Sequence, residues 1–401
     1  MNSQTTDIAI VSGARTPMGR YCGKLRDFTA IELAAIASQE AIRRSGIEAG
    51  EFQHAVFGNA QQTSGDALYG ARHVSLKAGL PIEVPALTVN RLCGSGMQSI
   101  VSAAQMIQLG EATNVLAGGM ESMSQAPHVI RGARWGFGLG EGKMEDSLMV
   151  ALLDTYCGLY MANTAELYAE QQGITREKMD EFALQSQQKA GAAQQACRLA
   201  EEITPVALKN RKGEPTGEKF EKDDHLRPET TMEGLAKLKA AFGKNGTVTA
   251  GNASGIVDGG AAVVLMPLEQ AEKRGAKPMG RIVSWGIAGV DPKIMGSGPV
   301  PASRLALKKA GMKLEDMDVI EVNEAFAGQY LAVEKELGID RSKANVNGGA
   351  IALGHPLGAT GTRLVITLLY ELRRRKGKYG LATACIGGGQ GIAMIVENLH
   401  R

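Results

Sequence analysis

The sequence is poor in aromatic rings. Phe, Trp and Tyr make up only 4% of its 401 residues, and only two are tryptophan. With few bulky anchors, small side chains must do much of the packing, and the 51 glycines fit a structure in which backbones approach closely. Long apolar runs are missing too. No stretch of about 18 or more apolar residues occurs, which excludes a membrane-spanning helix. Neither sign of charge dominates. The 44 Lys and Arg against 42 Asp and Glu leave +2, with no basic stripe interleaved with aromatics, so a nucleic-acid partner is not expected. Cysteine is scarce and scattered. Cys22, Cys93, Cys157, Cys197 and Cys385 form no C-x-x-C pair, which argues against a disulfide framework or a zinc knuckle and fits a reducing, cytoplasmic setting. The opening "MNSQTTDIAIVSGARTPMGR" has no basic n-region and reads as a first strand rather than a signal peptide; "IVENLHR" at the end carries no targeting tripeptide.

What is present is alternation. Short β-branched runs alternate with helical ones, as in α/β proteins, and the length calls for two or more domains. Strands are expected at 7–14, 54–60, 84–90, 114–119, 261–267, 279–289, 317–323, 344–349, 379–388 and 391–398, with helices at 30–45, 95–109, 302–310, 324–337 and 360–375. The order repeats. A helix ending at Gly46 is followed 47 positions later by Cys93 in a Gly-rich loop; a helix ending at Gly311 is followed 44 positions later by His355 in another. Val89-Asn90 precedes the first loop and Val346-Asn347 the second, which favours a duplicated unit over mere α/β alternation. Between the halves, from about Glu121 to Gly255, the texture changes. Residues 201–229 are polar and charge-dense. Ahead of them, Asn163 and Glu166 have capping-box spacing for a helix ending at Gly173, and a second helix after Thr175 sets Met179, Phe182, Ala183 and Ser186 on one face. This region reads as an inserted cap of the kind that forms ligand sites.

Four residues could carry chemistry. Cys93 stands at the N-terminus of an apolar helix, where the dipole and free N–H groups favour a thiolate; Gly94 and Gly96 would let a ligand approach the backbone. The same thiol could equally be a small packed hydrophobe. His355, between Gly354 and Pro356, suits a base or a hydrogen-bond donor, or a loop histidine bonded to backbone. Asn323 ends a strand and could cap the next helix or fix a water or an oxyanion. Cys385 opens "IGGGQG", which is no nucleotide fingerprint because "IAMIV" after it reads as a strand. If the two copies pack about a pseudo-twofold, the Cys93 and His355 loops meet, as nucleophilic catalysis needs. Metal ligation by Cys93, His355 and Cys385 lacks a fourth ligand, and a Cys-His-Asn hydrolase leaves Cys385 without a task.

Seven motifs together resemble the thiolase family, in its order and over nearly the whole chain: "NRLCGSGMQSI", "GGMESMSQAPH", "TAGNASGIVDGGAA", "GSGPVPASR", "EVNEAFA", "NVNGGAIALGHPLGATGTR" and "CIGGGQG". The form resembles the biosynthetic type, with acetyl-CoA C-acetyltransferase activity. The resemblance implies a duplicated five-layered α/β/α/β/α core with an inserted loop domain. One half would comprise 1–120 with 256–272, the coenzyme A-binding and tetramerisation domain 121–255, and the other half 273–401. It implies Cys93 as the acylated nucleophile, and His355 as its activator and part of an oxyanion hole. Asn323 would hold a water in that hole, Cys385 would be the base for the α-proton, and the N–H groups of Gly387 and Cys93 would form a second hole. Coenzyme A would meet Arg227, Ser254, Phe242, Ala250, Met161 and Met295. Acetyl-CoA, acetoacetyl-CoA and CoA are the implied substrates and products, with no separate cofactor or metal. Residues 125–146 match the loop that relatives use in a homotetramer. Tyr160, in "GLYMAN", stands where biosynthetic relatives often carry a polar histidine beside the pocket, so the resemblance does not fix the acyl-chain preference. A broad-chain degradative thiolase, a ketoacyl synthase-like condensing enzyme and a non-catalytic acyl carrier are the alternatives; the intact Cys93, His355 and Cys385 count against the last two.

Overall fold

The computed structural model describes residues 6–210, 212–243 and 245–400. The ends of the expected domain ranges, 1–5 and 401, and loop positions 211 and 244 lie outside the described residues. The core is built on strands β1 (Ile8–Arg15), β2 (His54–Asn59), β3 (Ala86–Val89), β4 (Val115–Glu121), β5 (Val257–Pro267), β6 (Gly280–Gly289), β7 (Val319–Val322), β8 (Tyr379–Ile386) and β9 (Gln390–Asn398). Its helices are α1 (Ala30–Ser45), α2 (Gly70–Lys77), α3 (Ser95–Gln108), α4 (Met161–Gln171), α5 (Arg176–Gln195), α6 (Pro299–Ala310), α7 (Ala327–Leu337) and α8 (Leu357–Arg375).

The duplication is explicit in the strand pairing. β2 lies parallel to β3 and β4, β4 is antiparallel to β5, and β5 is antiparallel to β1. In the second half β7 lies parallel to β8, β8 is antiparallel to β9, and β9 is antiparallel to β6. The partner of β7 that would match β3 is reduced to a parallel bridge between Ile320 and Ala344. The halves join where Ile8, Ala9 and Ile10 of β1 pair with Ile282, Arg281 and Gly280 of β6.

Side-chain alternation along these strands creates the layers. On β5, Ala261, Val263 and Leu265 face one cluster with α3 and α8, while Ala262, Val264 and Met266 face another with α1 and α2. On β9, Ile392, Met394 and Val396 join the α3/α8 cluster, and Ala393 and Ile395 turn toward α6 and α7. The result is helix, sheet, helix, sheet, helix, with α3 and α8 sandwiched in the middle, the thiolase-like α/β core that the motifs imply. α8 is buried over nearly its whole length, from Leu357 to Leu372, including Arg363 and Glu371.

Three local expectations are corrected. No continuous strand forms at 344–349. Asn345 has φ 43° and Gly348 φ 78°, and the Asn345 side chain bonds the N–H and C=O of Val322 instead. The helix expected to start at Asn163 starts at Met161, and Glu166 accepts from the N–H groups of Thr247 and Val248 rather than closing a capping box. Asn323 does not cap a helix; α7 begins at Ala327 after Phe326. The face of α5 holds as read, with Met179, Phe182, Ala183 and Ser186 buried.

The middle layer is a backbone-to-backbone contact. A Cβ on Gly96 would lie 2.7 Å from the Gly358 oxygen, one on Gly361 would lie 2.3 Å from the Met97 nitrogen, and one on Gly119 would lie 1.9 Å from the Gly358 oxygen. No side chain fits there without moving α8. Gly119→Ala should therefore lower stability by about 3 kcal/mol, read as a fall in the urea midpoint. Gly50→Ala, with open space around the added methyl, should leave it nearly unchanged. An unaltered midpoint in Gly119→Ala would contradict the close packing.

Candidate active site

Cys93 lies in a single 3-10 turn, Leu92–Gly94, between β3 and α3. The turn is held under tension. Leu92 has φ 46°, a conformation that L side chains rarely adopt. Asn90 Oδ1 accepts from the Leu92 N–H at 2.9 Å, and the Ser95 hydroxyl accepts from Arg91 N and donates to Leu92 O. The "NRLC" segment thus fixes the Cys93 backbone in space. The backbone N–H groups of Cys93 and Gly387 favour negative charge on the sulfur.

The dipole argument from sequence does not decide the charge state. Burial pushes the Cys93 thiol up to about 11, against the pull of those two N–H groups. Desolvation outweighs the helix terminus, and Glu121 adds repulsion. Cys385, at the end of β8, is buried and pushed up further by burial, with the Cys93 charge adding to it. Neither resting thiol is a thiolate at neutral pH.

His355 follows Gly354, whose φ of 97° and collision with Val257 for any added Cβ admit only glycine. Its N–H donates to Gly255 O at 2.9 Å. Nδ1 lies 2.6 Å from Thr360 Oγ1, and that hydroxyl donates to Pro356 O at 3.0 Å. The hydroxyl proton is thus committed, so Nδ1 carries the imidazole hydrogen and Nε2 keeps a lone pair. Nε2 faces Asn323 Nδ2 at 3.3 Å. Burial, with Arg363 adding to it, lowers the imidazole to about 3, so it is neutral and available as a base. Asn323 is fully buried, its N–H donates to Thr383 O, and its Oδ1 has no protein partner.

Glu121 braces the two halves around this centre. Its carboxylate accepts from Asn59 Nδ2, the N–H groups of Ala60 and Gln61, and the Gly358 N–H at 2.8 Å. Burial pushes it up to about 7.

These groups open on a cavity of about 630 Å³. It brings together Cys93, His355, Cys385 and Gly387 with Met161, Met295, Phe242, Ala250, Ser254 and Arg227. Asn323 is not in the wall and reaches the centre through His355. Tyr160 is in the wall, its ring 5.3 Å from that of Phe242. Sequence reading missed Thr360, Glu121, Leu357 and Phe326. Thr360 could have been flagged as a hydroxyl one helical turn past the histidine; a buried carboxylate in "GGMES" gives no such cue. Among the described residues no three His, Cys, Asp or Glu side chains converge as a metal ion requires.

Residues 8–269 match the family model described as thiolase, N-terminal domain, and residues 276–398 that described as thiolase, C-terminal domain. The chain belongs to the thiolase family. This thiolase is 52% identical to the mitochondrial 3-ketoacyl-CoA thiolase of Homo sapiens, over 98% of each chain. It is 49% identical to an acetyl-CoA acetyltransferase of Cupriavidus necator, over 98% of this chain and 99% of that one. The crystal structure of the human mitochondrial enzyme in complex with CoA superposes with a TM-score of 0.95 at 51% identity, covering 98% of each chain. The protein is an acyltransferase of this family; relatives of both names are about equally close.

A desolvated histidine has a consequence for stability. Folded, His355 stays unprotonated down to about pH 3, while the unfolded chain binds that proton near 6.5. Below pH 6.5 the unfolded state holds the extra proton, so stability is lost as pH falls from 6.5 toward 3. Between pH 7 and about pH 5 the native enzyme should lose about 2 kcal/mol more than His355→Asn, measured by urea unfolding. Taking the difference cancels the opposite contribution of buried carboxylates such as Glu121. Equal losses would mean that the imidazole is not desolvated.

Proposed function

We propose that this thiolase catalyses the reversible Claisen condensation of two acetyl-CoA to acetoacetyl-CoA and CoA through an acetylated Cys93. The observation that carries the reading is the meeting in one cavity of two thiols and a neutral imidazole whose Nε2 keeps its lone pair, with the backbone of Cys93 and Gly387 favouring negative charge on the Cys93 sulfur.

Cys93 passes its proton to His355 Nε2 as its sulfur attacks the first thioester carbonyl. The departing CoA sulfur takes the proton of Cys385. A Cys385 thiolate is then left beside an imidazolium, an ion pair that offsets the cost of burying each charge. That thiolate removes the α-proton of the second acetyl-CoA, and the enolate oxygen meets His355 Nε2–H and a water held by Asn323. The orphaned Asn323 Oδ1 supports a water there. The enolate carbon attacks the acyl carbonyl, whose oxyanion the Cys93 and Gly387 N–H groups receive. Collapse expels the Cys93 sulfur, which recovers its proton from His355. Run in reverse, the same steps cleave a 3-ketoacyl-CoA with CoA.

Coenzyme A would run from Met161, Met295 and Ser254, past Phe242 and Ala250, to Arg227. Short acyl groups are favoured by the packing of Met123, Leu148 and Leu357 against Cys93. The exposed Trp135, Phe137 and Leu139 support the segment 125–146 as the contact that assembles a homotetramer. The identity to a 3-ketoacyl-CoA thiolase supports a second reading, broad-chain cleavage.

Thiolysis rates on 3-ketoacyl-CoAs of increasing chain length separate the two. A fall of about tenfold or more from acetoacetyl-CoA to the six-carbon substrate is expected; a flat or rising series would assign the broad-chain role. Cys93→Ala should yield no acetylated peptide with acetyl-CoA. Turnover surviving in that variant would overturn the mechanism.

A further inference from the structure

The wall of the cavity includes a cation that the reaction does not use. Arg20 lies at the rim with Tyr21, in a short strand, Gly19–Arg20, that pairs antiparallel with Val257 and Asp258. Both flanks of this strand are pinned. The Arg20 N–H donates to Asp224 Oδ1 at 2.6 Å, the Tyr21 N–H to Ile256 O at 3.1 Å, and the Cys22 N–H to the Ser124 hydroxyl at 2.8 Å. The Ser124 hydroxyl in turn donates to Asp258. The chain then doubles back. Gly23 N–H donates to Arg20 O at 2.8 Å, and Cys22 takes φ 54° to close the turn. A Cβ on Gly23 would lie 2.7 Å from Arg20 Cγ, so the Arg20 stem rests on a bare glycine.

The guanidinium is aimed but underused. It is 69% exposed, and among the described residues its ion pair is with Asp224 Oδ2 at 4.0 Å, the far limit of such a contact. Asp224 cannot swing toward it freely, because its other oxygen holds the Arg20 backbone. Arg227 and Glu229 line the same cavity and are exposed, while Cys385 and His355, which also line it, are buried. A ligand that delivers a thioester to the buried groups has its far end toward the exposed part of the lining, to which Arg20 and Arg227 belong. A planar guanidinium with free donors is suited to a phosphate, which it binds through two parallel hydrogen bonds.

We infer that Arg20 is a phosphate-binding residue at the mouth of the cavity, a second cation beside Arg227 that grips the nucleotide end of coenzyme A. The inference rests on the coenzyme A reading above. It concerns the phosphates alone, so it acts on KM and not on the chemical step.

The test compares the native enzyme, Arg20→Ala and Arg20→Lys on acetoacetyl-CoA and on acetoacetyl-pantetheine, which lacks every phosphate. Arg20→Ala should raise KM for the CoA ester about tenfold, with Arg20→Lys intermediate, and change KM for the pantetheine ester less than twofold. The ionic-strength dependence of KM for the CoA ester should weaken in Arg20→Ala. Dephospho-CoA esters then tell the 3′-phosphate from the pyrophosphate: a penalty that persists assigns the pyrophosphate, and one that vanishes the 3′-phosphate. An equal rise on both esters, or none on either, would overturn the inference. Calorimetric binding of CoA itself to the Cys93→Ala and the Cys93→Ala, Arg20→Ala proteins keeps the two readings apart. Arg20-dependent CoA binding in a protein whose native form turns over neither ester would sink the proposed reaction and leave this site standing.

Discussion

Everything at the active site hangs on how closely α3 and α8 approach each other. Each helix carries one of the proposed reacting groups just before its first turn, Cys93 on one and His355 on the other. The groups belong to different halves of the chain, so the helix contact sets how near they come. Gly96 and Gly361 remove the side chains that would hold the helices apart, and the Thr362 hydroxyl donates across the gap to Gly96 O at 2.9 Å. Glu121 then ties the end of β4 to the start of α8 through Gly358. The two halves of the strand array cover the helix pair from outside. The resulting centre is largely buried, and a low-dielectric setting strengthens each hydrogen bond aimed at a developing charge.

Desolvation also sets the resting state. An exposed cysteine at a helix terminus would drift toward thiolate, but the same residue, half-buried here against Met123, Leu148 and Leu357, is held as a thiol. Burial acts on His355 in the complementary sense and keeps it neutral. A neutral base beside a neutral acid costs little to bury, and charge appears only when a proton moves between them. Thr360 matters for that reason: by fixing the hydrogen on Nδ1 it leaves Nε2 as the one place for the Cys93 proton.

The sequence was most informative where a pattern repeats. The paired Val-Asn and Gly-rich loops disclosed the duplication, and the pairing scheme of β2, β4, β5 and β1 recurs in β7, β8, β9 and β6. Hydrophobic patterning placed α3 and α8, because both are long and mostly buried. It failed at 344–349, where Asn345 satisfies Val322 with its side chain and so removes the need for a strand. It failed again at Asn163, where Glu166 had acquired a tertiary task that local spacing does not reveal. At the site, Cys93, His355 and Cys385 were legible because their glycine loops are. The direction of the Cys93 shift was not, since desolvation depends on what packs around the thiol from distant segments. Glu121 escaped for the same reason, since the fold sets its partners; Thr360 was within reach of sequence, its partners His355 and Pro356 lying just before it.

The central claim is that the two thiols divide the work, Cys93 carrying the acyl group and Cys385 moving the α-proton. Exchange of labelled CoA into acetyl-CoA reports the first step alone, and acetoacetyl-CoA formation reports both. In a folded Cys385→Ala protein, exchange should persist while condensation is lost. Loss of both, or retention of both, would contradict the account.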